Sequence, residues 1–156
     1  MEQLLVVTFT FGTAIFIFLS MLEIPVWKLV FTSARSGIED SSVRFVHKNL
    51  KYMTSKLPPS NGMVILAGVT LMIWQSIALD WEVMPTAQLV TYVAGLFVIV
   101  VVLRNPRTVF SIRAHNSETD AIELLNTDLK NVGRDHHLGL LINLTALAMQ
   151  LALIWR

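Results

Sequence analysis

Four stretches of this chain carry no charged residue at all: residues 3–22, 57–79, 83–103 and 138–155. A helix needs roughly 17–25 mostly apolar residues to cross the hydrocarbon core of a bilayer. Where water is absent, only a helix or a closed barrel satisfies every backbone polar group. Each run has the length for a helix. The segments between them are too short for a soluble domain, so residues 1–156 read as one domain. The expected fold is all-α, an integral membrane four-helix antiparallel bundle with spans near 3–24, 61–80, 84–104 and 137–155.

Composition agrees where it bears on this. Only 15% of the residues are charged, against about a quarter in a soluble domain. No cysteine is present, which excludes a disulfide framework and Cys-based metal or redox chemistry. The first run reads as a retained helix. Met1-Glu2-Gln3 gives no basic start, and Ser20-Met21-Leu22-Glu23 gives no small-residue cleavage site.

Charge sets the expected orientation. Of the 12 Lys and Arg, all but Arg156 fall in two segments. Lys28, Arg35, Arg44, Lys48, Lys51 and Lys56 lie in residues 23–60, and Arg104, Arg107, Arg113, Lys130 and Arg134 in 104–137. The positive-inside rule then puts both long loops in the cytoplasm and both termini outside. Trp81 and Trp155 are expected at the outer interface and Trp27 at the inner one, where amphipathic rings settle.

Exceptions within the apolar runs mark faces. Asn143, Ala146 and Gln150 fall on one side of the last run, and Phe16, Ser20, Glu23 and Trp27 on one side of the first. Polar side chains are costly against lipid, so both stripes should look inward. Gly12 and Gly68 should let backbones come close. The loops are amphipathic too. Ser117 and Asp120 form a capping pattern ahead of Ile122, Leu125, Leu129 and Val132, which predicts a helix over 117–132. Val43, Val46 or His47, and Leu50 mark a second.

The segment RNPRTVFSIRAHN, residues 104–116, ends the third run abruptly. Proline kinks rather than ends a membrane helix when neighbours satisfy the freed carbonyl. Counting on from Pro106, residues Thr108, Ile112, His115 and Thr119 share a face, with Asn116 beside them. The arginines of the segment are placed to reach lipid headgroups. All four histidines, His47, His115, His136 and His137, lie in the two basic segments. Adjacent helical residues point about 100° apart, so only one of His136 and His137 faces inward.

No nucleophile motif, phosphate loop or nicotinamide fingerprint occurs. The basic loops lack the aromatic interleaving of a nucleic-acid surface, and topology accounts for their charge. Histidine spacing gives no metal pattern such as H-x-x-x-H, so neither a metal nor another cofactor is expected.

These residues resemble the anthrone oxygenase-like family of small four-helix membrane proteins, many of whose bacterial members have no known function. Pro106, Thr108, Ile112 and Asn116 match its P-x-T-x-x-x-I-x-x-x-N pattern after the third helix. Its W-x-x-x-H pattern is met at His136, with Val132 in place of Trp, and Glu23-Ile24-Pro25 is similar to its acidic residue before proline. Gly139 stands where Arg is frequent in the family. The resemblance implies cofactor-independent oxygenation of a hydrophobic aromatic substrate at the cytoplasmic membrane face. His136 would be the base, because an imidazole titrates near neutral pH. Asn116 and Thr108 would orient the substrate, with His47 and His115 in reserve. The competing reading is a non-catalytic accessory subunit of a larger membrane complex or homo-oligomer, with membrane lipids as its other partners.

Overall fold

The computed structural model describes residues 2–32, 37–56 and 58–155, with backbone alone for residue 32 and for 58–61. Arg35 and Arg156, counted above for orientation, lie outside the described residues. Every element among the described residues is helical.

Helix α1 (Glu2–Leu22) stops where Pro25 lacks an amide proton to continue it. A single tight turn, Ile24–Val26, leads into α2 (Trp27–Thr32). The Trp27 indole N–H donates to the Ser20 carbonyl at 3.0 Å, satisfying one acceptor freed at the end of α1. Helix α3 (Asp40–Lys56) has Asp40 in its first turn and Lys56 in its last, the signs its dipole favours. Its buried stripe is Val43, Val46, His47 and Leu50, so both residues of the alternative at 46 and 47 point inward.

Helix α4 (Pro58–Ala78) and helix α5 (Val83–Phe97) are joined by a short turn. Asp80 and Trp81 take left-handed conformations there, and the Trp81 N–H returns to the Ser76 carbonyl at 2.7 Å. Helix α5 widens into a π turn, Val98–Val102, closed by the Leu103 N–H on the Val98 carbonyl at 2.9 Å. Arg104 then adopts φ 56° and α6 (Asn105–Ala114) begins. A left-handed residue with a Cβ costs about 1–2 kcal/mol, and here it breaks the helix outright. The third run therefore ends ahead of Pro106 instead of being kinked by it.

Helix α7 (Ile122–Ile154) is one continuous rod. The expected amphipathic helix and the expected fourth span are its two halves. It starts five residues later than the capping pattern suggested, because Ser117 bonds elsewhere. The anticipated stripe is inside: Leu125 and Leu129 are fully buried and Ile122 and Val132 nearly so.

Among the described residues, three helices are long and apolar enough to cross a membrane: α1, α5 with its π turn (Val83–Val102), and α7. Helix α4, 21 residues long, carries a further apolar stretch, Gly62–Ala78. Large apolar side chains stand on the outside, among them Phe11, Phe18, Leu66, Trp74 and Phe97. Soluble monomers seldom expose so much.

Neighbouring helices meet in opposite directions. Gly12 faces Asn143 while Phe16 faces Gly139, so α7 descends as α1 rises. Gly68 lies beside Phe9 and Gly12 beside Val64, which sets α4 against α1 in the same way. Gln88 donates to the Ala146 carbonyl at 2.8 Å, and Gly95 packs on Ile142, doing the same for α5 and α7. Gly12 is a true close approach, since a Cβ there would stand 2.6 Å from Asn143 Oδ1. Gly68 leaves ordinary room. Asn143, Ala146 and Gln150 are all buried, as their spacing requires.

Two apolar cores result. One joins Leu5, Phe9, Met72, Tyr92, Ile142 and Ala146 in the long helices. The other is a cap, where Val43, Val46, Leu50, Ile112, Leu125 and Leu129 bind α3 and α6 to the first half of α7.

Candidate functional site

A cavity of about 280 Å³ lies where the two cores meet. Phe16 and Leu19 of α1, Leu96 and Ile99 of α5 and its π turn, and Ile142 of α7 supply apolar wall. Its polar groups are Thr54, Asn105, Asp135, His136 and Asn143. Such a composition, mostly apolar with a few convergent polar groups, is that of a ligand site.

His136 is held from behind. Its Nδ1–H donates to Glu23 Oε1 at 2.6 Å, and both side chains are buried. Glu23 sits just past the end of α1, and the opposite run of α1 and α7 brings it level with His136. The carboxylate fixes the tautomer, so Nε2 is the nitrogen left for a ligand. Phe16 lies 6.3 Å from the imidazole, ring centre to ring centre. It has that place because residue 139 is glycine, where a Cβ would come within 2.5 Å of the ring. His137 turns the other way. Its ring packs edge-on against Trp27 and Phe31, and its Nδ1–H donates to the Gly133 carbonyl at 2.6 Å.

On the cavity's other polar side, Asn105 Nδ2 donates to Asp135 Oδ2 at 2.9 Å. The π turn, the left-handed Arg104 and this bond follow one another along the chain. Helical irregularities and strained backbone gather at sites where a side chain must be aimed.

The other expected residues divide. Thr108 and Ile112 are buried on α6, as their shared face requires. His115 falls just past the end of that helix, half-buried. Asn116 is exposed, and its Oδ1 accepts the Glu118 N–H at 2.9 Å, so it shapes a turn. The hydrogen-bond partner of His136 is Glu23; neither Asn116 nor Thr108 fills that place.

His47 and His115 belong to a second polar centre, in the cap, built around Asp128. Its carboxylate accepts His47 Nε2–H at 3.2 Å, His115 Nδ1–H at 2.7 Å and the Ser111 hydroxyl at 2.6 Å. Ser117 Oγ lies 2.8 Å from His47 Nδ1 and donates to it. The order Ser117–His47–Asp128 is that of a nucleophile relay, but His47 is fully buried and the cavity lining includes none of the three. The centre therefore reads as a clasp joining α3, α6, α7 and the turn at 115–121. Arg44 strengthens it by donating to the carbonyls of Ser117, Glu118 and Asp120. At the rim, Lys48 and Glu118 pair at 2.9 Å. That hydrogen bond, with the attraction of the charges, raises the lysine pKa and lowers that of the carboxyl. Both groups are open to water, so the pair adds little.

Among the described residues, no group of three or more His, Asp or Glu is arranged to hold a metal ion. Comparison with family models, with curated proteins and with solved structures found no match. Sequence reasoning missed Asp128, although it stands three residues from Leu125 and four from Val132, inside a buried stripe. It also missed the partnership of Glu23 with His136 and the place of Asn105 beside Asp135.

Proposed function

We propose that this chain is an integral membrane enzyme of the anthrone oxygenase-like kind. In this reading α1, α4, α5 with its π turn, and α7 form an antiparallel four-helix bundle in the bilayer. Both long loops face the cytoplasm and both termini the outside. The cavity takes an apolar aromatic carbon acid. The pairing of Glu23 with His136, whose side chain lines the cavity, carries the reading, since a buried carboxylate that fixes one imidazole nitrogen leaves the other poised as a base.

His136 Nε2 removes a proton from an activated methylene, and Glu23 stabilises the imidazolium that forms. The electron-rich carbanion passes one electron to O₂, and the resulting radicals couple to make a C–O bond. The peroxide recovers the proton from His136, and the hydroperoxide then loses water. One CH₂ and one O₂ become one C=O and one H₂O. O₂ is the oxidant and the substrate is the reductant, so the sequence of steps asks for no resident cofactor. Thr108 stands behind the wall on α6, and Asn116 shapes the loop that follows it.

Purified protein in liposomes, supplied with an anthrone, tests this by oxygen uptake and quinone formation. Glu23→Gln and His136→Gln should each lower the rate by about 10²-fold or more while the protein remains folded. Wild-type rates in both variants would remove the proposal. An inactive wild type would leave the accessory-subunit reading in its place.

A further inference from the structure

Asp135 takes no part in that chemistry, yet among the described lining residues it is the one carboxylate. It is 2% exposed. Asn105 occupies Oδ2, while Oδ1 is buried without a hydrogen-bond partner. The Arg134 guanidinium stands 3.7 Å from Oδ1, and its side chain is 49% exposed, spending its charge largely on water. None of the described lining residues is Lys or Arg. Each of the remaining amide and hydroxyl groups directs a hydrogen bond to some acceptor other than Asp135 Oδ1. Asn143 Nδ2 donates to the Gly139 carbonyl, Asn105 Nδ2 to Asp135, and the Thr54 hydroxyl to the Lys51 carbonyl. Glu23 Oε1 has its donor in His136, and its equally unpartnered Oε2 belongs to a residue off the cavity lining. At the cavity, Asp135 Oδ1 is thus an acceptor with negative charge that no described group completes. A buried carboxylate without full pairing is costly, so a ligand that supplies charge and donors gains on both counts.

We propose that this cavity binds a lipophilic organic ammonium ion, its nitrogen at Asp135 and its apolar body against Phe16 and the aliphatic wall. A volume of about 280 Å³ admits a small aromatic ligand. Gly62 and Val100 on the lining also reach the outer surface, which gives such a ligand a side entry. A choline headgroup shares the positive charge but has no N–H to donate and brings a phosphate, and none of the described lining residues is a cation to receive it. The site shares its cavity with the proposed reaction but not its base. Ammonium binding without anthrone turnover, or the reverse, would separate the two.

The test uses full-length protein in maltoside micelles, with ¹³C-methyl methionine observed by NMR. Met53 lines the cavity, and Met72, buried in the other core, serves as control. Benzylammonium should shift the Met53 methyl saturably and leave Met72 in place. Ethylbenzene, its uncharged isostere, should bind at least about tenfold more weakly. Diheptanoylphosphatidylcholine should produce no saturable shift. Asp135→Asn should weaken the ammonium by about tenfold or more and leave the isostere unchanged. The proposal is overturned if the isostere matches the ammonium in wild-type protein, a comparison that stands even if the Asn variant does not fold. It is equally overturned by no saturable shift at Met53, by tighter binding of the phospholipid, or by a folded Asn variant of unchanged affinity.

Discussion

Glu23 and His136 stand 113 positions apart in the chain and meet at 2.6 Å, both buried. Removing one partner strands the other in the interior. Breaking a buried pair in this way costs about 3–5 kcal/mol, whereas replacing both with apolar residues is often neutral. His136→Leu and Glu23→Leu should each lower stability by that order, and the double variant should recover much of it. Reversible unfolding in mixed micelles measures the coupling. Strictly additive losses would show that the two side chains do not depend on each other.

The clasp around Asp128 predicts a regional effect. Asp128→Ala removes the common acceptor of His47, His115 and Ser111. Hydrogen bonds to a charged group contribute about 1.5–3 kcal/mol each. The loss should fall on α3 and the turn at 115–121, where amide hydrogen exchange should quicken by at least about tenfold. Exchange in α1 and α5 should stay as it was. Uniform quickening throughout the protein would contradict a local clasp.

Gly139 and Phe16 give a test of fit. A Cβ at residue 139 would stand 2.5 Å from the Phe16 ring, and forced overpacking typically costs about 1–3 kcal/mol. Gly139→Ala should destabilise the protein by that amount, and adding Phe16→Leu should restore most of it. Thermal unfolding of the two variants beside wild type decides the matter. An alanine variant as stable as wild type would mean that the ring moves aside freely.

Orientation is open to direct labelling, because the chain has no cysteine of its own. Glu82→Cys should react with an impermeant maleimide added to intact cells. Ser60→Cys should react only after the cells are opened. The reverse pattern would invert the bundle.

The long helices were legible because membrane spans need only length and apolarity, and lack of charge displays both. Inward faces were legible for the same reason: Asn143, Gln150 and Glu23 interrupt apolar runs at helical steps. Partners were harder. That His136 meets Glu23 follows from the relative depth of α1 and α7, which no local pattern encodes. Asn116 shows the opposite difficulty. Its spacing from Thr108 and Ile112 is helical, but α6 ends at Ala114, so the periodicity runs past the structure that would give it meaning. The break at Arg104 was hidden too, since arginine has no preference for a left-handed backbone and Pro106 drew the eye two residues too far.

Helix α7 packs on α1, α2, α3, α5 and α6, and it follows all of them in the chain. During synthesis, Glu23, His47 and His115 therefore emerge before the helix that brings His136 and Asp128 to them. Until then Glu23 and His115 lack the side chains that hold them, and His47 has Ser117 alone. Assembly of both polar centres waits on the same late event, so a chain ending before residue 122 would have neither the clasp nor the site.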